Sequence, residues 1–246
     1  MLAERYFDTV GKVLDEIRRT QMDSIHTASQ MIADSIIAGG VLYVFGASHT
    51  GILTQELVYR AGGLMLVNPI FAPGLSLDVR PAPMTSEIER LPGYGTVIIR
   101  NTRISDKDVI IVASVSGRNP VPIEIAMEAK KRGAKVIALT SIRYSSSVSS
   151  RHPSGKRLFE TDVDLVLDNC GVPGDAAIEV EGLGVKTGPT STIAGCAILN
   201  AIIVEVIGRL VEAGVEVPVF LSGNLDEGDR HNKTFLEKYK DKLTYL

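Results

Sequence analysis

The chain has 246 residues, 45% hydrophobic and 22% charged, and 26 Lys plus Arg against 29 Asp plus Glu leave a net charge of -3. Such a balance belongs to a globular protein, and a pI of about 5.9 without any basic run denies it the electrostatic footprint that grips a phosphate backbone, so nucleic acid is not expected as a partner. Two cysteines, Cys170 and Cys196, and a charged N-terminus where a signal peptide would have an apolar core point to the cytoplasm.

From 5 to 37 apolar residues recur at helical spacing, as in Val10, Val13, Leu14 and Ile17 and again Ile25, Ile32 and Ile36, and Gly39-Gly40 supplies a stop. One or two N-terminal helices are predicted there. Six short β-rich runs follow: VLYVF at 41–45, LMLV at 64–67, TVIIR at 96–100, DVIIVAS at 108–114, KVIALT at 135–140 and VDLVLD at 163–168. Most are apolar throughout, as strands covered on both faces must be, and helix-length segments lie at 50–62, 120–132 and 191–211. The apolar stretch 193–207 is interrupted by Gly195, Asn200 and Glu205 and is too short for a bilayer, so it reads as a buried helix and no membrane is expected as a partner. The pattern predicts a doubly wound α/β fold. Residues 1–40 would form an N-terminal helical segment, 41–215 the sheet domain and 216–246 a C-terminal loop and helix, all in one compact domain.

In doubly wound sheets ligands sit at the carboxyl ends of strands. After the first run comes Gly46-Ala47-Ser48-His49-Thr50-Gly51, a small-residue turn opening a helix whose positive end favours an anion. A dinucleotide site would want Gly at position 48 and an acid ending the second strand, where the chain has Val67-Asn68-Pro69, so no nucleotide cofactor is expected. After DVIIVAS comes Ser114-Val115-Ser116-Gly117-Arg118-Asn119-Pro120, whose hydroxyls and exposed N–H groups suit a phosphate. After KVIALT comes Thr140-Ser141.

On GASHTG at 46–51, SVSGRNP at 114–120 and AMEAKKRGAKVIALTS at 126–141, the sequence resembles the sugar isomerase (SIS) domain family over roughly 40–210, and within it the phosphoheptose isomerase branch and its phosphosugar-binding relatives. The resemblance implies a phosphosugar-binding α/β sandwich, three layers around a mainly parallel five-stranded sheet, and a homodimer or homotetramer, without a cofactor. Residue by residue, it places phosphate among Ser48, Ser114, Ser116, Asn119, Thr140 and Ser141, with Gly46 and Gly117 allowing close backbone approach. Glu56, in the Glu56-Leu57 pair, is similar to the family's catalytic carboxylate. It lies seven residues after His49, near two helical turns, and four before Arg60, so a surface ion pair is the competing reading.

The family's catalytic histidine on the last helix falls at Asn200, which cannot exchange a proton near neutral pH. His231, in the polar segment 223–233, is the first substitute as a proton carrier, His49 the second and His152 the third. Arg80, Arg143 and Lys156 lie in long loops and read as solvated. Asp168, Asp175 and Glu179 have no His or Cys at ligand spacing, so no metal site is expected. Three functions fit: an aldose–ketose phosphate isomerase with Glu56 as base, an amino-sugar-phosphate lyase or etherase, and a noncatalytic phosphosugar sensor. A DNA-reading sensor is disfavoured, because the roughly 40 residues before the sheet mix Asp8, Asp15, Glu16 and Asp23 with Arg18 and Arg19.

Overall fold

The computed structural model describes residues 1–246. Helices α1 (Leu2–Thr20) and α2 (Met22–Ile37) open the chain, and α2 turns Ile25, Ile32 and Ile36 inward at the predicted spacing. Strands β1 (Leu42–Gly46), β2 (Val67–Pro69), β3 (Val109–Ala113), β4 (Lys135–Thr140) and β5 (Leu165–Asp168) form one parallel sheet in the order β2-β1-β3-β4-β5. Every residue of β1 and β3 is buried. The reason is helices on both sides: α2 packs on β1, β3 and β5, while α6 (Pro120–Lys131) packs on β3 and β4. The sheet is thus the middle of three layers.

Helix α3 (Gly51–Leu57) packs on β1 and on the long α8 (Ser191–Glu212). The short helices α4 (Met84–Ile88) and α7 (Ile142–Ser146) lie after β2 and β4. A two-stranded antiparallel hairpin, β6 (Ala176–Glu179) and β7 (Lys186–Pro189), precedes α8 and is tied to α1 by Tyr6 Oη donating to the Pro189 carbonyl at 2.8 Å. Helix α9 (Gly228–Tyr239) leads into a tail pinned by Asn68, which donates to the Lys242 carbonyl at 2.8 Å and accepts from the Thr244 N–H at 2.8 Å. Leu243 joins the same core cluster as Ile17, so both ends of the chain close on one interior.

Three expectations are corrected. The 96–100 run is helix α5 (Tyr94–Arg100) rather than a strand. Gly93, at φ 90°, starts it, the Glu124 carboxylate accepts from the Gly93 and Gly95 N–H groups at 2.6 and 2.9 Å, and α5 packs along α6. Caps and packing outweigh the strand preference of Val97, Ile98 and Ile99. The 64–67 run contributes only Val67 to the sheet; Leu64 instead forms an antiparallel bridge with Val219. The helix expected at 50–62 ends at Leu57, because the chain turns at Tyr59, φ 51°, and Gly62, φ 77°.

Between β1 and β3 the strand order reverses: the chain leaves β1 for β2 on one side and later returns to β3 on the other. Loops leaving the two strand ends diverge there and open a crevice. Gly46 pairs with Ala113 across it, so the 46–51 turn and the 114–119 loop start side by side.

Candidate functional site

Where β1 ends, the turn folds back tightly on Gly46. A Cβ on Gly46 would stand 2.2 Å from the Thr50 carbonyl oxygen, so only glycine fits. Thr50 Oγ1 closes the turn, donating to the Ala47 carbonyl at 2.7 Å and accepting from the Ala47 N–H at 3.0 Å. Ser48 is held at φ 51°, where non-glycine residues are uncommon. Its N–H donates to the Leu75 carbonyl at 2.8 Å and its hydroxyl to Thr85 Oγ1 at 2.9 Å, tying the turn to the 75–85 segment. Between them lies a hollow of about 390 Å³, lined by Gly46, Ser48, Ile52, Gln55, Ser76 and Asp78 among others. His49 is exposed and outside that lining.

The loop after β3 is fastened from the β4 side. Val115's carbonyl accepts from the Ser141 N–H and from Thr140 Oγ1, both at 3.0 Å, and Gly117's carbonyl accepts from the Leu158 N–H at 2.8 Å. Gly117 sits at φ 57°, with room for a Cβ closed off by Ser145 Oγ at 2.9 Å. What the loop keeps unused is a set of donors: the N–H groups of Ser116, Arg118 and Asn119 and the hydroxyls of Ser114 and Ser116 have no partner in the protein. The first turn of α6 adds none, because Pro120 and Pro122 lack an N–H and Val121's donates to the Glu89 carbonyl at 3.2 Å. An anion at this strand end would therefore be met by the loop's own N–H and O–H groups, with the α6 dipole behind them.

Thr140 and Ser141 are fully buried and turn inward. Ser141 Oγ donates to the Gly171 carbonyl at 2.7 Å and accepts from the Tyr144 N–H at 3.1 Å. Both residues build the floor of the loop. Asn119's Oδ1 is also occupied, accepting from Arg151 Nη1 at 2.9 Å.

Glu56 lies on α3 against α8. Its Oε1 accepts from Asn200 Nδ2 at 2.8 Å and from Arg60, while Oε2 has no partner. Asn200, at the position where the resemblance leads one to expect a histidine, thus orients the carboxylate. Burial, and then the Glu56 charge, push the neighbouring Cys196 thiol's pKa up. His231 is elsewhere in the same chain: on α9, with Nε2 2.8 Å from the Val219 carbonyl oxygen and its ring 4.8 Å from that of Phe235. His152 Nδ1 lies 2.7 Å from Ser154 Oγ, and its Nε2 lies 3.8 Å from the buried Glu124 carboxylate.

Sequence reasoning missed Gln55, Ser76 and Asp78 as hollow-lining groups. Gln55 carries a helical signal, since it follows Gly51 by four and Ile52 by three, and all three line the hollow. Ser76 and Asp78 sit in a segment without periodicity. A larger hollow, about 810 Å³ between 69–73, α5 and the C-terminal tail, contains none of the candidate residues. No group of three His, Cys, Asp or Glu side chains is arranged to hold a metal ion.

The family model described as the SIS domain matches residues 5–141. A UPF0309 protein of Shouchella clausii is 47% identical over 243 residues, covering 99% of this chain and 98% of that protein. Among solved structures, a phosphoheptose isomerase from Neisseria gonorrhoeae superposes with a TM-score of 0.56 at 18% identity, covering 85% of this chain and 100% of its own. NanR of Vibrio vulnificus, solved with ManNAc-6P, superposes with a TM-score of 0.50 at 15% identity, covering 99% of this chain and 70% of its own.

Proposed function

The chain belongs to the SIS domain family, and on that premise we propose that it binds a phosphorylated sugar, with the phosphate on the 114–119 loop and the sugar in the hollow between β1 and the 70–78 segment. One observation carries the reading: at the switch point of the sheet, Ser114, Ser116, Arg118 and Asn119 present N–H and O–H donors that nothing in the protein uses. Such donors are costly to leave without a partner when buried and are well matched to phosphate oxygens. Ser48, whose N–H and hydroxyl are both spent on the 75–85 segment, shapes the rim of the hollow in a rarely populated conformation rather than offering the ligand a donor.

The reaction that fits this ligand is interconversion of an aldose and a ketose phosphate, in which a base moves a proton between C1 and C2. Glu56 is the candidate base, with Oε2 free and Oε1 fixed by Asn200 and Arg60; it lies outside the lining of the hollow, so it acts only on a sugar that extends past Gln55 along α3. A proton carrier must then come from elsewhere, and His231 can serve only across a subunit contact of a homodimer or homotetramer. A second reading, recognition without turnover, is favoured by Asn200 itself, which holds Glu56 yet has no proton to exchange.

One experiment separates them: incubation with heptose, hexose and amino-sugar 6-phosphates in heavy water, following exchange at C2 by NMR, beside calorimetric binding. Exchange with one sugar, abolished by Glu56→Gln, supports the isomerase; binding across the panel without exchange supports recognition alone. Ser116→Ala should weaken sugar-phosphate binding about tenfold, as expected for losing one hydrogen bond to a charged group. Unchanged affinity removes the loop from the phosphate site.

A further inference from the structure

Beside the 114–119 loop the chain gathers three arginines, none of them in an ion pair, around the single carboxylate of Glu89. Arg118 is in the loop, Arg151 lies in the segment alongside it, and Arg90 follows Glu89 after α4. The Arg151 N–H donates to the Arg118 carbonyl at 2.8 Å, and Arg151 Nη1 holds Asn119 Oδ1 at 2.9 Å. Arg118 reaches only Ser149 Oγ, at 3.4 Å, and its Nε is buried with no partner. Ion-paired arginines elsewhere are Arg60, Arg143, Arg157 and Arg209; these three are not among them. The one carboxylate at hand, Glu89, lies among them: burial raises its pKa while Asn119, Arg90 and Arg151 pull it back, so a single carboxylate faces more than one guanidinium. Partial desolvation and the neighbouring charges of Arg118 and Arg90 lower the pKa of Arg151 in turn. Three guanidiniums around one carboxylate, one of them with a buried unused N–H, leave an excess of positive charge that suits an anion.

The cluster is separate from the sugar hollow. Arg118 and Arg151 join the loop to the segment fastened on the β4 side, whereas the hollow lies on the β1–β2 side and none of the three arginines lines it. Asn119, whose Oδ1 is held by Arg151, marks the boundary.

We propose that Arg90, Arg118 and Arg151 form a second anion subsite adjoining the 114–119 loop, so that the ligand carries another phosphate or a carboxylate besides the phosphate the loop receives. This inference rests on the loop being the phosphate site. Guanidinium forks bind both kinds of oxyanion through paired N–H groups.

Inorganic phosphate and pyrophosphate are the probes, titrated calorimetrically into the purified full chain with a chelator present. Pyrophosphate should bind at least about tenfold more tightly than phosphate, as charge-assisted pairs with a second anionic group predict. In Arg151→Gln and Arg90→Gln, both at exposed positions, that preference should fall below about threefold while phosphate affinity changes little, and Arg151→Lys should recover part of it. Equal affinity for the two anions in the unmodified protein, or a preference that survives both variants, overturns the subsite. Ser116→Ala should weaken both anions alike. If it alters neither, the loop reading fails first, and the two-anion ligand fails with it by a different signature.

Discussion

Arg157 braces the loop that holds the candidate phosphate site. It donates to the Ser145 carbonyl at 2.9 Å, lies 5.0 Å above the Phe159 ring, and is clasped by Glu160, whose Oε2 accepts from the Arg157 N–H and Nε at 2.8 Å each. The next residue, Leu158, donates to Gly117. The clasp pulls the Glu160 pKa down from 4.5 to about 2, through the Arg157 side-chain hydrogen bond above all. A carboxyl whose folded pKa is depressed stabilises above its unfolded pKa and loses that contribution as the pH falls through the folded value. Glu160→Gln should therefore lower stability near neutral pH by less than about 1 kcal/mol, the pair being partly exposed and screened. In urea unfolding the gap should narrow below pH 4.5 and vanish near pH 2. A gap unchanged across that range would show that the effect is not the ion pair. At this scale the sequence was legible as residue types: hydroxyls at three strand ends stood out. Their direction was not, because Thr140 and Ser141 turn inward only on account of the Val115 and Gly171 carbonyls, which the fold brings from elsewhere in the chain.

Among the elements, those with strong periodicity and a marked start were legible nearly to the residue. Helix α6 begins at Pro120 and α8 at Ser191, as the Pro-rich and hydroxyl-rich starts imply. The 96–100 run misled because its β-branched residues suit a strand, while the carboxylate that starts α5 sits about thirty residues away on α6. Gly46 carries the clearest consequence. Its freedom serves the close return of Thr50 over β1, so the turn shapes the hollow before any ligand arrives. Gly46→Ala should cost about 2 to 3 kcal/mol, as overpacking against rigid backbone does, and weaken ligand binding with it. Gly11, inside α1, is the contrasting case, since a Cβ there would meet nothing within 4 Å. Gly11→Ala should be neutral or stabilise by up to about 1 kcal/mol. Chemical denaturation of the two variants side by side checks the argument; equal effects would mean that the turn yields easily.

For the whole molecule, the two faces of α8 set the problem. Its inner face, Ala194, Ile198, Ile202, Val206 and Leu210, is buried against α2 and its neighbours. Its outer face presents Ile193, Ala197, Ala201, Val204, Gly208 and Val211 at spacings of three and four, with Val204 70% and Val211 62% exposed. A helix apolar on both faces calls for cover on both. From the sequence the stretch reads as buried throughout, since composition alone does not tell cover by the same chain from cover by another. The expected homodimer would place a second α8 along this stripe, whose small residues permit close approach. Val204→Asp would bury an unpaired carboxylate in such a contact, so light scattering should report a multiple of 26.5 kDa for the unmodified protein and 26.5 kDa for the variant. An unmodified protein already at 26.5 kDa would leave the stripe uncovered and remove any proton carrier supplied across it. The same variant then tests the chemistry: if C2 exchange depends on a histidine from a second subunit, it should vanish with the dimer while phosphate binding to the 114–119 loop persists.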